Sequence, residues 1–546
     1  MSFVDIVLVM LLAVAISGYL VRILPVSIPL PLVQIGLGAV ISGVFDRGHV
    51  LEPKVFFLLF LPPLLFLDGW LIPKQGLFRD KTTVIELAFG LVIFSMIGVG
   101  FLIAWMIPGM PLPVAFALAA IVTPTDPVAL SSIVAKAPIS ERIVHILQAE
   151  SLFNDATGLV CFEFSVAAAL TGTFSLLSAS MTFVWVCLAG SFIGAATVVI
   201  VSVAQSKIWR RFGEDPGDAI LVNLLQPFAA YLIAERLHAS GILAAVVAGV
   251  TMSYVELTGK APGVLRVQRW AVWDTVQFAF NGVIFVLLGE QLPQIFHNAA
   301  YSVEQTGHHN PWWLLVYVLA ISAGLAGLRF LWVGISLQWT LFRKGRPLSS
   351  LHLPVWRIIA IISLGGVRGA VTLAGVLTLP LVMPNGAPFP ARELAVFLAA
   401  SVIIVSLVVA AIVLPRLVGG IELPEDSTEV LEEALARRIS SKAALEAIEQ
   451  LRLHLIGQSE FDTDCYNAAA TQISQLYLRR SLQTDMVEKN PETAQLAERA
   501  MRRFRQTALN AERSAIFKLA RQRRISDALS RRLVRNLDLI EARKKN

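Results

Sequence analysis

The chain has 546 residues, of which 56% are hydrophobic and only 15% charged, with a formal net charge of +6 and a mean hydropathy of +0.68. Soluble domains are typically about 25% charged, so a string of soluble domains is excluded and most of the chain is built for lipid. The positive charge reports membrane topology before nucleic-acid binding, and Cys161, Cys187 and Cys465 form no CxxC pair, which implies neither a disulfide framework nor a zinc site.

In chain order, apolar stretches long enough to cross about 30 Å of hydrocarbon fall at 4–22, 27–45, 54–73, 84–107, 113–136, 141–171, 178–204, 217–237, 240–255, 270–293, 311–341, 354–382 and 393–416. That predicts about thirteen membrane helices, with 27–45 and 240–255 the short ones. The first run has no basic residue before it and reads as a retained span, not a cleaved signal. Basic residues mark every second loop: Arg22; Lys74, Arg79 and Lys81; Lys136 and Arg142; Lys207, Arg210 and Arg211; Lys260, Arg266 and Arg269; Arg343, Lys344, Arg346 and Arg357; and Arg416. The opposite loops hold only Arg47, Lys54, Arg236 and Arg392. By the positive-inside rule the N-terminus lies outside and the C-terminus in the cytoplasm of an inner membrane.

After Arg416 the composition turns charge-rich. Leu431, Leu435 and Ile439, and later Leu529, Leu533, Leu537 and Ile540, recur at helical spacing, with Pro424 and Pro491 as punctuation. The expected division is therefore a transmembrane domain over 1–416 and a helical cytosolic tail over 417–546. The basic end from Arg499 to Lys545 either lies near anionic lipid or forms a solvated helical hairpin used for packing.

Ionisable residues inside lipid are expensive and by default mark an ion or proton pathway. The fifth span carries Thr123-Pro124-Thr125-Asp126-Pro127. Two prolines around Thr-Asp cannot sit in a continuous α-helix, which predicts an unwound break, tolerated where backbone lines a cavity. The bland alternative is a proline kink with Asp126 as a helix cap. The sixth span carries Glu150-Ser151-Leu152-Phe153-Asn154-Asp155. Ser151 shares a face with Asp155, and Glu150 with Asn154; these oxygens suit a hard cation or form a buried network that fixes packing. The twelfth span carries Gly365-Gly366-Val367-Arg368-Gly369, and an arginine at that depth needs an acidic partner. Glu150 is the expected one, leaving Asp155 free.

Asp126, Asp155 and Arg368 each stand about 13 or 14 residues into their spans, roughly 20 Å from the helix start at ~1.5 Å per residue, so they can meet near mid-membrane. Spans five and twelve are the interrupted ones and lie seven apart. That is the pattern of two inverted six-helix repeats, spans one to six and eight to thirteen, with the site between the broken helices. Asp68 either joins this cavity or sits at the cytosolic end of span three. Arg329 in span eleven is expected to pair with an acid or a carbonyl, and Glu163 is a candidate for the outward pathway. Glu86, Asp274 and Glu290 read as interfacial. His297, His308 and His309 read as a solvated external loop.

On these motifs, together with Leu61-Pro62-Pro63-Leu64-Leu65-Phe66 and Asn281-Gly282-Val283-Ile284-Phe285, residues 4–416 resemble the monovalent cation:proton antiporters of the sodium/proton exchanger superfamily, bacterial NhaP-like members. The resemblance implies thirteen helices with crossed unwound helices five and twelve, a core domain moving against a dimer domain, a homodimer, and a role in pH homeostasis. It implies that Asp155 binds cation and proton, with Asn154 as its partner. Ser151, Thr125 and Asp126 contribute to the site, and Glu150 and Arg368 form an internal ion pair. The monovalent cation would rest on Asp155, Ser151 and Thr125. Relatives that move net charge have Asp-Asp where this chain has Asn154-Asp155, which points to electroneutral exchange.

Burial favours the neutral carboxyl and a bound cation the ionised one, so H⁺ and Na⁺ compete for one group. Li⁺ and K⁺ stay open as cations, and a K⁺/H⁺ antiporter or a cation channel as alternative functions. No TVGYG-like filter, no GxxxxGK[ST] and no embedded HExxH or Cys/His constellation occurs. The chain is therefore not read as a channel, a pump or an enzyme, and no cofactor is called for.

Overall fold

The computed structural model describes residues 3–23, 28–45, 53–71, 86–126, 141–172, 176–213, 215–257, 263–305, 312–343, 355–418 and 427–458, with 467–475 and scattered residues beyond. The second half of the expected fifth span with Pro127, loop residues such as Lys74, Arg79, Lys81, Lys136 and Arg346, the residues Cys465, His308, His309, Pro424 and Pro491, and most of the basic end of the tail lie outside the described residues. The chain divides into two compact units, Met1–Leu423 and Pro424–Asn546.

The first unit is all helical apart from one isolated bridge, Val382 with Pro388, among the described residues. Its helices are α1 (Phe3–Ile23), α2 (Leu30–Phe45), α3 (Pro53–Leu71), α4 (Leu91–Met106), α5 (Leu112–Val122), α6 (Glu141–Thr171), α7 (Leu176–Phe212), α8 (Pro216–Arg236), α9 (Gly241–Leu257), α10 (Gly263–Gln305), α11 (Trp312–Arg343), α12 (Val355–Leu364), α13 (Ala370–Leu377) and α14 (Arg392–Val418). Each expected apolar stretch contains one of these helices, and α12 and α13 share the twelfth. Six helices among the described residues are long and apolar enough to cross a membrane, including most of α7, α10 and α14. Large apolar side chains such as Trp105, Trp185, Phe192, Ile200 and Trp312 stand exposed on their flanks, the surface a lipid-facing protein presents.

Local chemistry sets the helix ends. Asp215 caps α8, its Oδ1 accepting from Gly217 N at 2.7 Å, with Pro216 at the first helical position. α5 stops at Val122 because Pro124 has no N–H to donate. α12 stops at Leu364 before Gly365 and Gly366, and α13 restarts after Gly369. A single π-helical turn, Glu86–Gly90, leads into α4, and Ser336 of α11 donates to Glu86 at 2.9 Å.

Among the described residues, two helix pairs cross at backbone distance with a glycine on each helix. A Cβ at Gly38 of α2 would overlap the carbonyl of Val286 in α10, and one at Gly289 would overlap that of Ile35. A Cβ at Gly69 of α3 would overlap the carbonyl of Val246 in α9, and one at Gly249 that of Phe66. In both pairs each glycine faces the carbonyl three residues before its partner glycine. Small residues permit such approach where apolar side chains alone would hold helices apart.

The second unit contains α15 (Ser427–Gln458). On it Arg452 donates to Glu449 at 2.8 and 2.5 Å, and these bonds hold the exposed Glu449 carboxyl below its ordinary range.

Candidate functional site

The two breaks face each other. Beyond α5, Thr123 to Asp126 leave the helix, and the Asp126 amide donates to Val367 O of the other break at 2.6 Å. Asp126 and Gly369 meet so closely that a Cβ on Gly369 would overlap the carboxylate. Gly369 is the N-cap of α13, so the aspartate stands at a helix N-terminus, where unpaired N–H groups favour negative charge.

The opposite charge sits at the opposite ends. Arg368 donates from Nε to Val122 O, the last residue of α5, at 3.2 Å, and from Nη1 to Gly366 O, just past α12, at 2.7 Å. Carbonyls in the last turn of a helix have no intrahelical partner, and a buried guanidinium placed between two such ends serves both. Ser406 of α14 fixes the break further by accepting from Arg368 N at 3.2 Å.

This corrects the expected ion pair. Glu150 does pair, but with Arg329 of α11: Nη1 to Oε1 at 2.5 Å and Nη2 to Oε2 at 2.8 Å, with both side chains buried. Arg329 Nε also donates to Ile362 O at 3.3 Å. The physical reason is geometric. A two-pronged guanidinium–carboxylate pair needs the fork aimed squarely at both oxygens, and Arg368 has turned its fork to the helix ends. Glu150 still attracts Arg368 electrostatically. Arg329, expected to pair with an acid or a carbonyl, thus has both, Glu150 and the Ile362 carbonyl.

On α6, Ser151 donates to the carbonyl of Thr125. Asn154 donates from Nδ2 to Thr125 Oγ1 at 2.9 Å and to Glu150 Oε1 at 3.4 Å. α6 can approach because Gly158 lies against Pro124 and the Ala120 carbonyl. Asp155 is 5% exposed and takes part in no ion pair among the described residues. Asp126 and Asp68 both act on it electrostatically, and Asp126 acts on half-buried Asp68.

Glu163 is exposed on α6, and its charged neighbour is Glu235 of α8 rather than the site carboxylates. Glu86 hydrogen-bonds Ser336, Asp274 is exposed, and Glu290 is buried at 3% exposure. No group of three or more His, Cys, Asp or Glu among the described residues is placed to hold a metal ion. A cation here would rest on carboxylate, hydroxyl and carbonyl oxygens together. Sequence reasoning missed Ser406 and the carbonyls of Val122, Gly366 and Ile362; a backbone acceptor leaves no signal in residue type.

Comparison with known proteins shows the family and the fold. The profile of the family described as sodium/hydrogen exchanger, transmembrane, matches residues 8–419. The uncharacterized Na⁺/H⁺ exchanger YjcE of Escherichia coli K12 is 39% identical over 546 residues, covering 98% of this chain and 98% of its own length. The sodium, potassium, lithium and rubidium/H⁺ antiporter of Bacillus pumilus is 39% identical over 420 residues, 75% of this chain but only 60% of that protein. The solved sodium proton antiporter MjNhaP1 of Methanocaldococcus jannaschii shares the fold, with a TM-score of 0.57 and 16% identity over 76% of this chain and 97% of that one.

Proposed function

Given that the chain belongs to the sodium/hydrogen exchanger family, we propose that it exchanges one Na⁺ for one H⁺ across the inner membrane, with Asp155 as the group that carries either. One observation carries the reading. Of the two acids in Glu150–Asp155, Glu150 is neutralised by Arg329 while Asp155 is buried beside Asp126 and Asp68 with no ion pair among the described residues. A buried carboxylate among like charges must take up a positive charge, and a proton and a monovalent cation are the two candidates.

Asp126 stays ionised at the N-terminus of α13. Thr125, Ser151 and Asn154 supply or orient the oxygens around Asp155, and Asp68 receives the ion on the cytosolic side. The site changes sides by movement of one bundle against the other. Thirteen spans in two inverted repeats underlie that movement. The repeat is supported by the glycine crossings: an offset of seven carries α2 onto α9 and α3 onto α10, so the crossing of α2 with α10 maps onto that of α9 with α3. The protein works as a homodimer in pH homeostasis, with its N-terminus outside and its tail in the cytosol. A second reading, exchange of K⁺ or Li⁺, is favoured by the name of the Bacillus pumilus relative, which includes those ions.

The test is uptake into proteoliposomes under an imposed pH gradient, with Na⁺, Li⁺ and K⁺ in turn. Saturable coupled Na⁺ uptake, lost in Asp155→Asn, is the expected outcome. Uncoupled conductance, or full exchange by Asp155→Asn, would overturn the proposal.

A further inference from the structure

This inference rests on the exchange site proposed above and concerns the back of Asn154. Asn154 is 1% exposed. Its Nδ2 group is used on Thr125 and Glu150, but its Oδ1, equally buried, has no hydrogen-bond partner among the described residues. An amide oxygen in that state is rare in folded proteins and costly. Beside it lies a cavity walled by Ser95 of α4, Thr123, Glu150, Asn154, Arg329 and Arg368. Its volume is about 10 Å³, room for about one water.

The chemistry of the walls selects the occupant. Glu150 and Arg329 neutralise each other, and Arg368 adds a positive charge, so a cation is repelled. Asn154 Oδ1 offers only lone pairs. So does Thr123 Oγ1, whose hydrogen goes to Ala119 O at 2.7 Å, so an anion would face two acceptors. Arg368 spends one hydrogen of Nε and one of Nη1 on the helix ends, and of the five N–H hydrogens of a guanidinium the others can donate into the cavity it lines. A molecule that both accepts and donates satisfies all three groups.

We propose that this cavity holds one bound water that accepts from Arg368 and donates to Asn154 Oδ1 and Thr123 Oγ1. Arg368 is then a positioning residue for the exchange site as well as a clamp on the helix ends. Through the water it fixes the amide of Asn154, the residue before Asp155, whose other end holds Thr125. A bridging water of this kind is nearly as good as a direct hydrogen bond, and displacing it with an apolar group forfeits that bond.

The experiment has two parts, a density map of the full chain at a resolution that shows ordered waters, and transport by variants of the cavity wall. The map is expected to show one peak within hydrogen-bond distance of both Asn154 and Arg368. Ser95→Val pushes methyl groups into the cavity and should raise the apparent KM for Na⁺ about tenfold with the maximal rate retained, whereas Ser95→Ala, which leaves room, should keep the wild-type KM. Arg368→Lys, which keeps a donor, should fall between. A map without the peak, a peak bound by both arginines as an anion, or a wild-type KM in Ser95→Val would overturn the proposal. Should Ser95→Val fail to insert, the wild-type map decides alone. The map also separates this inference from the exchange reading, because it reports the water whether or not Asp155→Asn transports.

Discussion

Asp126 and Gly369 belong to different broken helices, yet the carboxylate of the first rests on the α-carbon of the second at the start of α13. With Arg368 on the carbonyls of Val122 and Gly366, the two breaks compensate one another: the acid serves a positive helix end, the base two negative ones.

Gly369→Ala therefore tests the acid end. The φ at Gly369 is negative (−147°), outside the left-handed region that favours glycine, and the added methyl meets the Asp126 carboxylate and pushes it away. A carboxylate at a partly buried helix N-terminus is worth up to ~2 kcal/mol, and exchange should fall roughly tenfold while the protein still inserts. Initial rates in proteoliposomes with the reconstituted amount matched check this; a wild-type rate would remove Asp126 from the working site.

Arg329 and Glu150 should behave as a unit. Breaking a buried pair costs about 3–5 kcal/mol, so Glu150→Ala and Arg329→Ala should each lower thermal stability, and the double variant should lose much less than their sum. The cycle of Glu150 with Arg368 should show weaker coupling. If that second cycle is the stronger, the pairing described for Glu150 is not the one that operates.

Competition at Asp155 gives a pH dependence with a definite sign. The protonated carboxyl cannot hold Na⁺, so acidification must raise the Na⁺ requirement. In the acid limit the apparent KM should climb about tenfold per pH unit while the maximal rate at saturating Na⁺ is kept, as for one proton against one cation. A KM independent of pH over the acid range would mean separate sites.

Net charge movement should be zero. Asn154 cannot carry a second proton, and Glu150 is held by Arg329, so one titrating carboxylate serves each cycle. Exchange should not respond to a membrane potential clamped with valinomycin and K⁺, once K⁺ is shown not to be transported. A steady current would mean that Asp126 or Asp68 also titrates during turnover.

Removal of the second unit should leave the transport machinery in place. The chain divides at Leu423–Pro424, and every residue placed in the site precedes it. A chain ended near Pro424 should still exchange Na⁺ for H⁺; one that inserts stably but is silent at every pH tested would make the tail part of the machine.

The sequence by itself determined where the helices run and where they break. Those properties are local. Lipid demands about twenty apolar residues per crossing, a proline removes one hydrogen bond at a known position, and glycine permits a break and a close approach. Thr123 to Asp126, Gly365 to Gly369 and the acid–amide run on α6 were legible for that reason. Which charges meet was not legible. Glu150 and Arg329 are 179 residues apart in the chain, and an arginine at depth can be satisfied by a carboxylate or by backbone carbonyls, a choice set only when three helices fix the direction of a guanidinium. Residue type showed that Arg329 and Arg368 each needed an acceptor; packing decided that one received an acid and the other two helix ends.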